Sequence, residues 1–529
     1  MPRISVTEKD LSWYFRQREQ GAATVYVPGI ATFGPEDEPV LCDSSNFSNL
    51  FGTKAVDVAG EMSYNMAASF IKSGFNVLFH RFVLEGATKA AASTGSETDY
   101  VKFTAKYKGS FGNKISVVLR GLGTPGSASV FVYLEGVLVE TLNCDFVNPS
   151  DPKYYVSADS AYVDIEVGGD ATVIEFRVTN PTTLELTGGL DYTDGKTTEQ
   201  IRQEVWAAIK TPTALSILED PYLYDFDVMV SGGWALYDEG LSYYGSEQNE
   251  PWDLTKIDLV DEALMKLAVN RGTAIYLVDG KSTWDDVEMY TYCGLFDSSY
   301  VAAFGPWGYA QLTNSGVTAL LPGSYAMITA WAQSCSDGTP VWMAPAGVKR
   351  ATLGSFYKKT AYYVGKNTLS IWQNHDYVQP GFYSVNPIMK AKQYGYVVYG
   401  NSTLLKTRMD GATSMLQSFS VRVLSNLIKN QAFVVALNLQ FDQLTGDLFT
   451  QFKTLLGTFM DQLKYQDALY DYEIVLTHGT LTSADLNEKT LPVTIRISPN
   501  PAAENFDIVL EISQAGTSFS DETDETEVG

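Results

Sequence analysis

Leu448-Phe449-Thr450-Gln451-Phe452-Lys453-Thr454-Leu455-Leu456-Gly457-Thr458-Phe459-Met460-Asp461-Gln462-Leu463-Lys464 is the stretch whose period decides the reading of the chain. Leu448, Phe449, Phe452, Leu455, Leu456, Phe459, Met460 and Leu463 recur at steps of three and four, the spacing of one helix face. Gln451, Lys453, Asp461 and Lys464 fall on the other face. So wide an apolar face needs a sheet to cover it. Three following runs supply strands: Tyr472–Leu476, Leu491–Ile497 and Phe506–Ile512, the last two separated by Ser498-Pro499-Asn500-Pro501. In the third, Phe506, Ile508, Leu510 and Ile512 alternate with Asp507, Val509 and Glu511, as in a half-buried strand. A terminal strand behind a Pro-rich hinge is either the last strand of the chain's own sheet or an arm that adds to a neighbouring copy, because unpaired backbone groups on a sheet edge recruit another chain.

The 529 residues have room for three or four domains and an ample core. Hydrophobic residues at 45% and aromatics at 13% describe a folded, strand-rich protein rather than a disordered one. The net charge of −25 disfavours direct binding to nucleic acid through its phosphates. The start, Met1 to Asp10, has no apolar core of the kind a secretory signal needs, and no apolar run reaches membrane-span length. A soluble protein that stays where it is made is therefore expected, with no membrane insertion. Cys42, Cys144, Cys293 and Cys335 are far apart, without the close pairs of a zinc site or disulfide framework. A reduced compartment fits.

Along the chain, residues 1–24 read as an arm, with Ile4 and Val6 alternating and a helical turn around Leu11 to Arg18. Val25 to Ile30 reads as a strand, Met62 to Ile71 as a helix and Asn76 to Phe82 as a buried strand. Residues 86–97 are small and polar, as in a linker. The period then becomes two, in Val101–Tyr107, Ile115–Leu119, Val130–Leu134, Val137–Leu142, Tyr162–Val167 and Thr172–Val178, which predicts a β-sandwich or small barrel. From Leu186 the pattern is α/β: helices at Ile201–Ile209, Leu259–Ala268 and Tyr325–Gln333 alternate with strands at Phe226–Val230, Ala274–Val278 and Val301–Phe304. Val341 to Gly347 reads as a further strand region, and Val397-Val398-Tyr399 closes this part.

Several separated strings together resemble the contractile tail sheath family of bacteriophages and related injection machines. They are Gly34-Pro35 with Pro39-Val40 and Phe51-Gly52; Ala105-Lys106-Tyr107 with Gly109-Ser110-Phe111-Gly112-Asn113; and Leu186-Thr187-Gly188-Gly189. They continue with Ala302–Phe304, Gly305-Pro306-Trp307, Leu321-Pro322-Gly323-Ser324, Ala344-Pro345-Ala346-Gly347, Tyr399-Gly400-Asn401-Ser402-Thr403-Leu404 and Pro499-Asn500-Pro501-Ala502-Ala503-Glu504. Each is weak alone; their order spans most of the chain. The resemblance implies a multidomain α/β and β protein with a central subtilisin-like α/β domain, an inserted β-sandwich, and a C-terminal α+β domain with exchanged terminal strands. The implied layout is an N-terminal arm 1–24, the N-terminal part of the core 25–93, the sandwich 96–190 and the central domain 191–400. A C-terminal domain 401–503, a C-terminal arm 504–516 and an acidic tail 517–529 follow.

Such a protein assembles with itself as hexameric rings in a helical sheath around an inner tail tube, between baseplate and tail terminator proteins. It is a structural component of the virion tail, assembled in the host cytoplasm, and contracts to drive the tube through the host envelope for genome delivery. A bacteriocin or other contractile injection system uses the same kind of sheath. The arm reading then extends to Ile4, Val6, Phe506, Ile508, Leu510 and Ile512 as inter-subunit strand exchange. Lys406, Arg408, Arg422 and Lys429, opposed only by Asp410 in an acidic chain, are expected on one helix, either as the tube contact or as a solvated helix end. No enzyme activity and no cofactor are expected.

The contrary reading is a subtilisin-like hydrolase, prompted by Gly411-Ala412-Thr413-Ser414-Met415, which resembles a serine-protease loop. A triad needs a histidine beside that serine and an acid behind the histidine. His80, His375 and His478 are the only histidines, and none has a protease-like context. A helix start capped by Thr413 or Ser414 is the simpler expectation. The acid clusters Glu36-Asp37-Glu38, Asp285-Asp286 and Asp521 to Glu527 lack calcium-loop spacing, and Gly188-Gly189 and Gly232-Gly233 read as turns.

Overall fold

The computed structural model describes residues 23–58, 61–123, 126–146, 160–168, 174, 176–236, 254–312, 318–353, 356–359 and 381–504. The chain enters at β1 (Thr24–Gly29), followed by β2 (Pro39–Cys42), helix α1 (Phe47–Phe51), α2 (Ser63–Lys72) and β3 (Asn76–Arg81). A two-sheet unit comes next: β4 (Ala91–Gly95), β5 (Tyr100–Ala105), β6 (Ile115–Gly121), β7 (Ser127–Leu134), β8 (Val137–Asp145), β9 (Val163–Gly168) and β10 (Thr182–Glu185). The α/β part resumes with α3 (Thr198–Ile209), α4 (Pro212–Ser216), β11 (Val228–Val230), α5 (Leu259–Arg271), β12 (Ile275–Val278), α6 (Asp286–Cys293) and β13 (Val301–Gly305). It continues through β14 (Gly308–Gln311), β15 (Thr318–Leu321), α7 (Gly323–Ser336), β16 (Thr352–Leu353), β17 (Phe356–Lys359), β18 (Asn386–Ala391) and β19 (Gly395–Val398). The last part holds α8 (Phe419–Leu439), α9 (Gly446–Tyr465), β20 (Leu469–Leu476), α10 (Ser483–Glu488) and β21 (Val493–Pro499).

One large mixed sheet organises the molecule, in the order β16-β19-β18-β13-β12-β11-β1-β3-β2. From β18 to β3 neighbouring strands are parallel, and antiparallel strands close both edges. Its strands are apolar throughout because both faces are covered: Val25 and Val27 enter a core with α2 and α7, while Tyr26 packs with α3 and α5 on the opposite face. Local signals set the helix starts. Thr197 and Gln200 form a capping box on α3, and Asp258 caps α5 by accepting from the Val260 and Asp261 amides.

The two small sheets, β4-β5-β9 and β10-β6-β7-β8, share one core, in which Val101, Phe103 and Ile165 meet Val117, Leu119 and Val130. Two expectations are corrected here. Residues 86–97 are not a linker: 91–95 pair with Tyr100–Thr104, and Thr88 and Ala91 bridge to Leu190 and Thr187. Small residues suit this strand because it lies at a sheet edge, where there is little side-chain volume to bury. The described residues of 172–178 are not a strand; the edge of β6 is taken by Thr182–Glu185, and residue 177 touches it only through a bond from the Gly121 amide to the Arg177 carbonyl (2.9 Å). Residues 341–347 are likewise turns rather than a strand.

The opening helix reading holds in α9, which buries Leu448, Phe452, Leu456, Phe459, Met460 and Leu463. Phe449 and Leu455 pack partly buried at its flank, and Ile474, Val493, Ile495 and Ile497 of the β20-β21 hairpin complete the core. No helix among the described residues is long and apolar enough to cross a membrane.

Candidate functional site

Several of the separated strings quoted above converge at two junctions. At the first, buried Arg81, at the end of β3, donates from Nε to the Ala31 carbonyl (3.0 Å), from Nη1 to Gly34 (2.7 Å) and from Nη2 to Lys108 (2.7 Å). Gly109 follows with φ +130°, and a Cβ there would stand 2.0 Å from the Thr32 carbonyl. Only glycine fits that approach. Asn113 exchanges two 2.8 Å bonds with the backbone of Gly189, and Ser110 donates to Asp191. One knot thus fastens the two-sheet unit to the large sheet. Desolvation lowers the Arg81 pKa to about 10, opposed by Glu36, Asp191 and Asp37.

The second junction lies at the carboxyl ends of the parallel strands, where open α/β sheets commonly bind ligands. Here Asp279 accepts from the amide (2.9 Å) and the hydroxyl of Ser324, the second residue of α7. Trp307 Nε1 donates to the Gly280 carbonyl at 2.6 Å. A Cβ on Gly323 would lie 2.1 Å from the Phe304 carbonyl. Trp234, after β11, and Trp307, after β13, are buried, each in the core on a different face of the sheet. The Asp279–Ser324 pair escaped the sequence reading because nothing in the local pattern joins residues so far apart.

Burial pushes Asp279 up to about 7, against its Ser324 bonds, and Asp258 up to about 6, against bonds from Trp206 and three amides. Both folded values lie above the ordinary 3.8, so the stability each contributes is complete below about pH 4 and is lost as pH rises through 6 and 7. Buried His80, held down at about 4, works the other way below about pH 6.5. Denaturant unfolding is therefore expected to show stability falling between about pH 4 and 7 and levelling off above 7, with the fall reduced in Asp279→Asn. Equal slopes in the two proteins would contradict this origin.

Ser414 is a cap, as the simpler reading expected: its hydroxyl accepts from the Leu416 amide (3.2 Å), and Gln417 completes a capping box. Among the described histidines, His80 is buried against the Tyr26 hydroxyl (3.0 Å) and His478 is exposed beyond β20. Neither lines the cleft of about 420 Å³ that holds Ser414. His375 lies outside the described residues.

The C-terminal unit presents open strand edges. Among the described residues β20 and β21 pair only with each other, and α9 covers one face of the ribbon. Exposed pairs, Arg496 with Glu473 (2.7 Å) and Lys464 with Asp471 (2.8 Å), line it, and solvent screening leaves them little weight in stability. Past β21, Asn500 is tied to Ala468 and Asp467, and Glu504 lies at the 420 Å³ cleft, accepting from Asn401 (3.4 Å). Ile4, Val6, Phe506, Ile508, Leu510 and Ile512 lie outside the described residues.

The four cations do not share one helix face turned outward, which corrects that expectation. Lys406 and Arg408 precede α8 in a loop, where Lys406 donates to the Gly294 carbonyl (2.6 Å) and exposed Arg408 pairs with Asp410 (3.4 Å). On α8, Arg422 is 4% exposed, bonds Ser299 and stacks its guanidinium 4.1 Å from the Tyr300 ring. Lys429 donates to the Gly272 carbonyl (3.0 Å) and the Tyr300 hydroxyl (2.7 Å). An arginine stem buries readily when its head finds an aromatic face and a hydroxyl, which sequence spacing does not reveal.

A mixed nine-stranded α/β sheet with an inserted pair of antiparallel sheets and a terminal helix-hairpin unit defines the class of fold. That fold is shared with a sheath tail protein from Listeria innocua, at 14% identity and a TM-score of 0.55, over 86% of this chain and 89% of that one. Further matches are a sheath tail protein from Desulfitobacterium hafniense (15% identity, TM-score 0.45, 89% of this chain and 93% of that one) and the contracted helical sheath of the anti-feeding prophage (11%, 0.48, 97% and 99%). No sequence-family model matches the chain, and no curated protein matches it.

Proposed function

We propose that the chain is the subunit of a contractile sheath, polymerising as stacked hexameric rings around an inner tube and shortening to drive that tube through a host envelope. The observation that carries this reading is the fold shared with a sheath tail protein over 86% of the chain. Its central α/β domain is then the subtilisin-like one, reused as a rigid block, and residues 96–190 are the inserted sandwich. The open β20-β21 ribbon receives strands from neighbouring copies, with Ile4, Val6, Phe506, Ile508, Leu510 and Ile512 as the exchanged positions. Backbone pairing of that kind survives rotation of rigid domains when the connecting segments flex. Contraction needs no nucleotide if the shortened lattice has the better contacts. Baseplate and terminator proteins bound the sheath, in a phage tail or another injection machine.

Of the four cations, Lys406, Arg408 and Lys429 remain as tube contacts, beside Met409 at 87% exposure, while Arg422 serves the interior. Electron microscopy of the expressed chain is expected to show wide hollow cylinders. Co-sedimentation with the tube protein should weaken in Arg408→Glu and with rising salt. Absence of any cylinder across salt and pH would overturn the sheath reading; unchanged salt sensitivity in the variant would overturn only the tube contact.

A further inference from the structure

Helix α8 crosses the N-terminal ends of the parallel strands in sheet order. Arg422 meets Ser299 and Tyr300 just before β13, Lys429 meets Gly272 before β12, and Phe433 packs edge-on to Tyr222, 4.9 Å between centroids, ahead of β11. The next strand in the sheet is β1. Four residues beyond Phe433 the helix has risen about 6 Å, and strands lie about 4.8 Å apart, so Leu437 comes level with β1. From Asn430 to Phe441 the chain carries no charge, in a protein with 19% charged residues. This uncharged stretch is nevertheless open to water: Val434 is 37%, Leu437 45% and Phe441 94% exposed, and Tyr222 and Leu223 beside them are 61% and 62% exposed. Large apolar side chains exposed together in this way mark a docking surface.

The chain itself supplies an occupant. Residues 1–22 lie outside the described part, which begins at Ala23; the Thr24 amide donates to Asp227 (2.8 Å), five residues after Tyr222. The N-terminal segment therefore leaves the fold beside this patch. Within it, Leu11, Trp13, Tyr14 and Phe15 form an aromatic cluster followed by Arg16 and Arg18, with no acid between 11 and 18. The patch is flanked in sequence by Asp220 and Asp442, so charge complements charge around an apolar centre. The eight residues from Phe15 to Ala23 reach up to about 26 Å extended, enough to fold back onto α8.

We infer that Leu11–Phe15 of the chain's own N-terminal segment docks on the uncharged surface formed by Val434 and Leu437 of α8, Phe441 just past its end, and Tyr222 and Leu223. The docked root anchors the segment and leaves Ile4 and Val6 beyond it. The surface does not depend on the sheath reading, since a single copy contains both partners.

Cysteine pairs test this on the full chain, whose four native cysteines are buried and free. Trp13→Cys with Leu437→Cys is expected to form a disulfide within one chain, well above a control in which Thr454→Cys replaces the helix partner. Mixing chains that carry one new cysteine each should give no cross-linked dimer. Cross-links found only between chains, which would assign the patch to a second copy, overturn the inference, as does a yield equal to the control. Independently, deleting residues 1–22 should speed amide exchange across 434–441 by roughly tenfold or more. Unchanged exchange there would also overturn it.

Discussion

Arg81→Met is expected to be among the most damaging single substitutions in this chain. The methionine fills most of the volume but donates nothing, leaving the carbonyls of Ala31, Gly34 and Lys108 without the bonds they now accept. A buried carbonyl stripped of its donor costs about 1–3 kcal/mol, so the two fully buried ones, of Ala31 and Gly34, predict a loss of at least about 2 kcal/mol, and the part-buried Lys108 carbonyl adds less. The damage is positional as well as energetic, because these carbonyls belong to the loop after β1 and to the two-sheet unit, and Arg81 closes the knot between them. Lys108→Ala is the control. It keeps the carbonyl and removes only a partly exposed pair with Glu36 (3.5 Å), a loss of about 0–1 kcal/mol. Urea unfolding of the two variants should separate them clearly. Comparable midpoints would show that the knot contributes little.

Ending the chain at Glu504 is expected to abolish polymerisation while leaving the monomer folded. The described fold closes its cores before that residue: the α9 face is covered by the β20-β21 hairpin, and Glu504 itself is tied to Asn401. Residues 505–529 are thus dispensable for the packing described, and monomer stability should change by less than about 1 kcal/mol, the scale of a change remote from buried features. Their proposed role is to pair with a neighbour's ribbon, so their loss should remove ordered cylinders under conditions where the intact chain forms them. Calorimetry together with electron microscopy reads both halves. A truncated chain that still assembles as readily as the intact one would sink the exchange proposal and leave the fold assignment untouched.

Much of the architecture was legible because burial imposes a period. Strands with both faces covered read as continuous apolar runs at Asn76–Phe82 and Ala274–Val278, and a helix with one covered face reads as steps of three and four between Leu448 and Leu463. Edge elements left weaker traces. Ala91–Gly95 reads as a linker because an edge strand of small residues has little side-chain area to bury, and Thr182–Glu185, four half-exposed residues at another sheet edge, leaves as weak a trace. Charge was the least readable property. Arg422 and Arg408 look alike in the sequence, yet one lies beneath Tyr300 and the other in solvent.

The sequence by itself determined the kinds of element, their order and the change from α/β to β and back, because each follows from local periodicity and turn chemistry. It also determined that certain glycines and prolines recur at strand ends, without saying why. Only the tertiary structure decided what those residues approach: Gly109 beside Thr32, Gly323 beside Phe304, Asp279 beside Ser324. The physical reason is that close approach and desolvation are set by whatever the fold brings against a residue from far along the chain, and no local pattern encodes that distance.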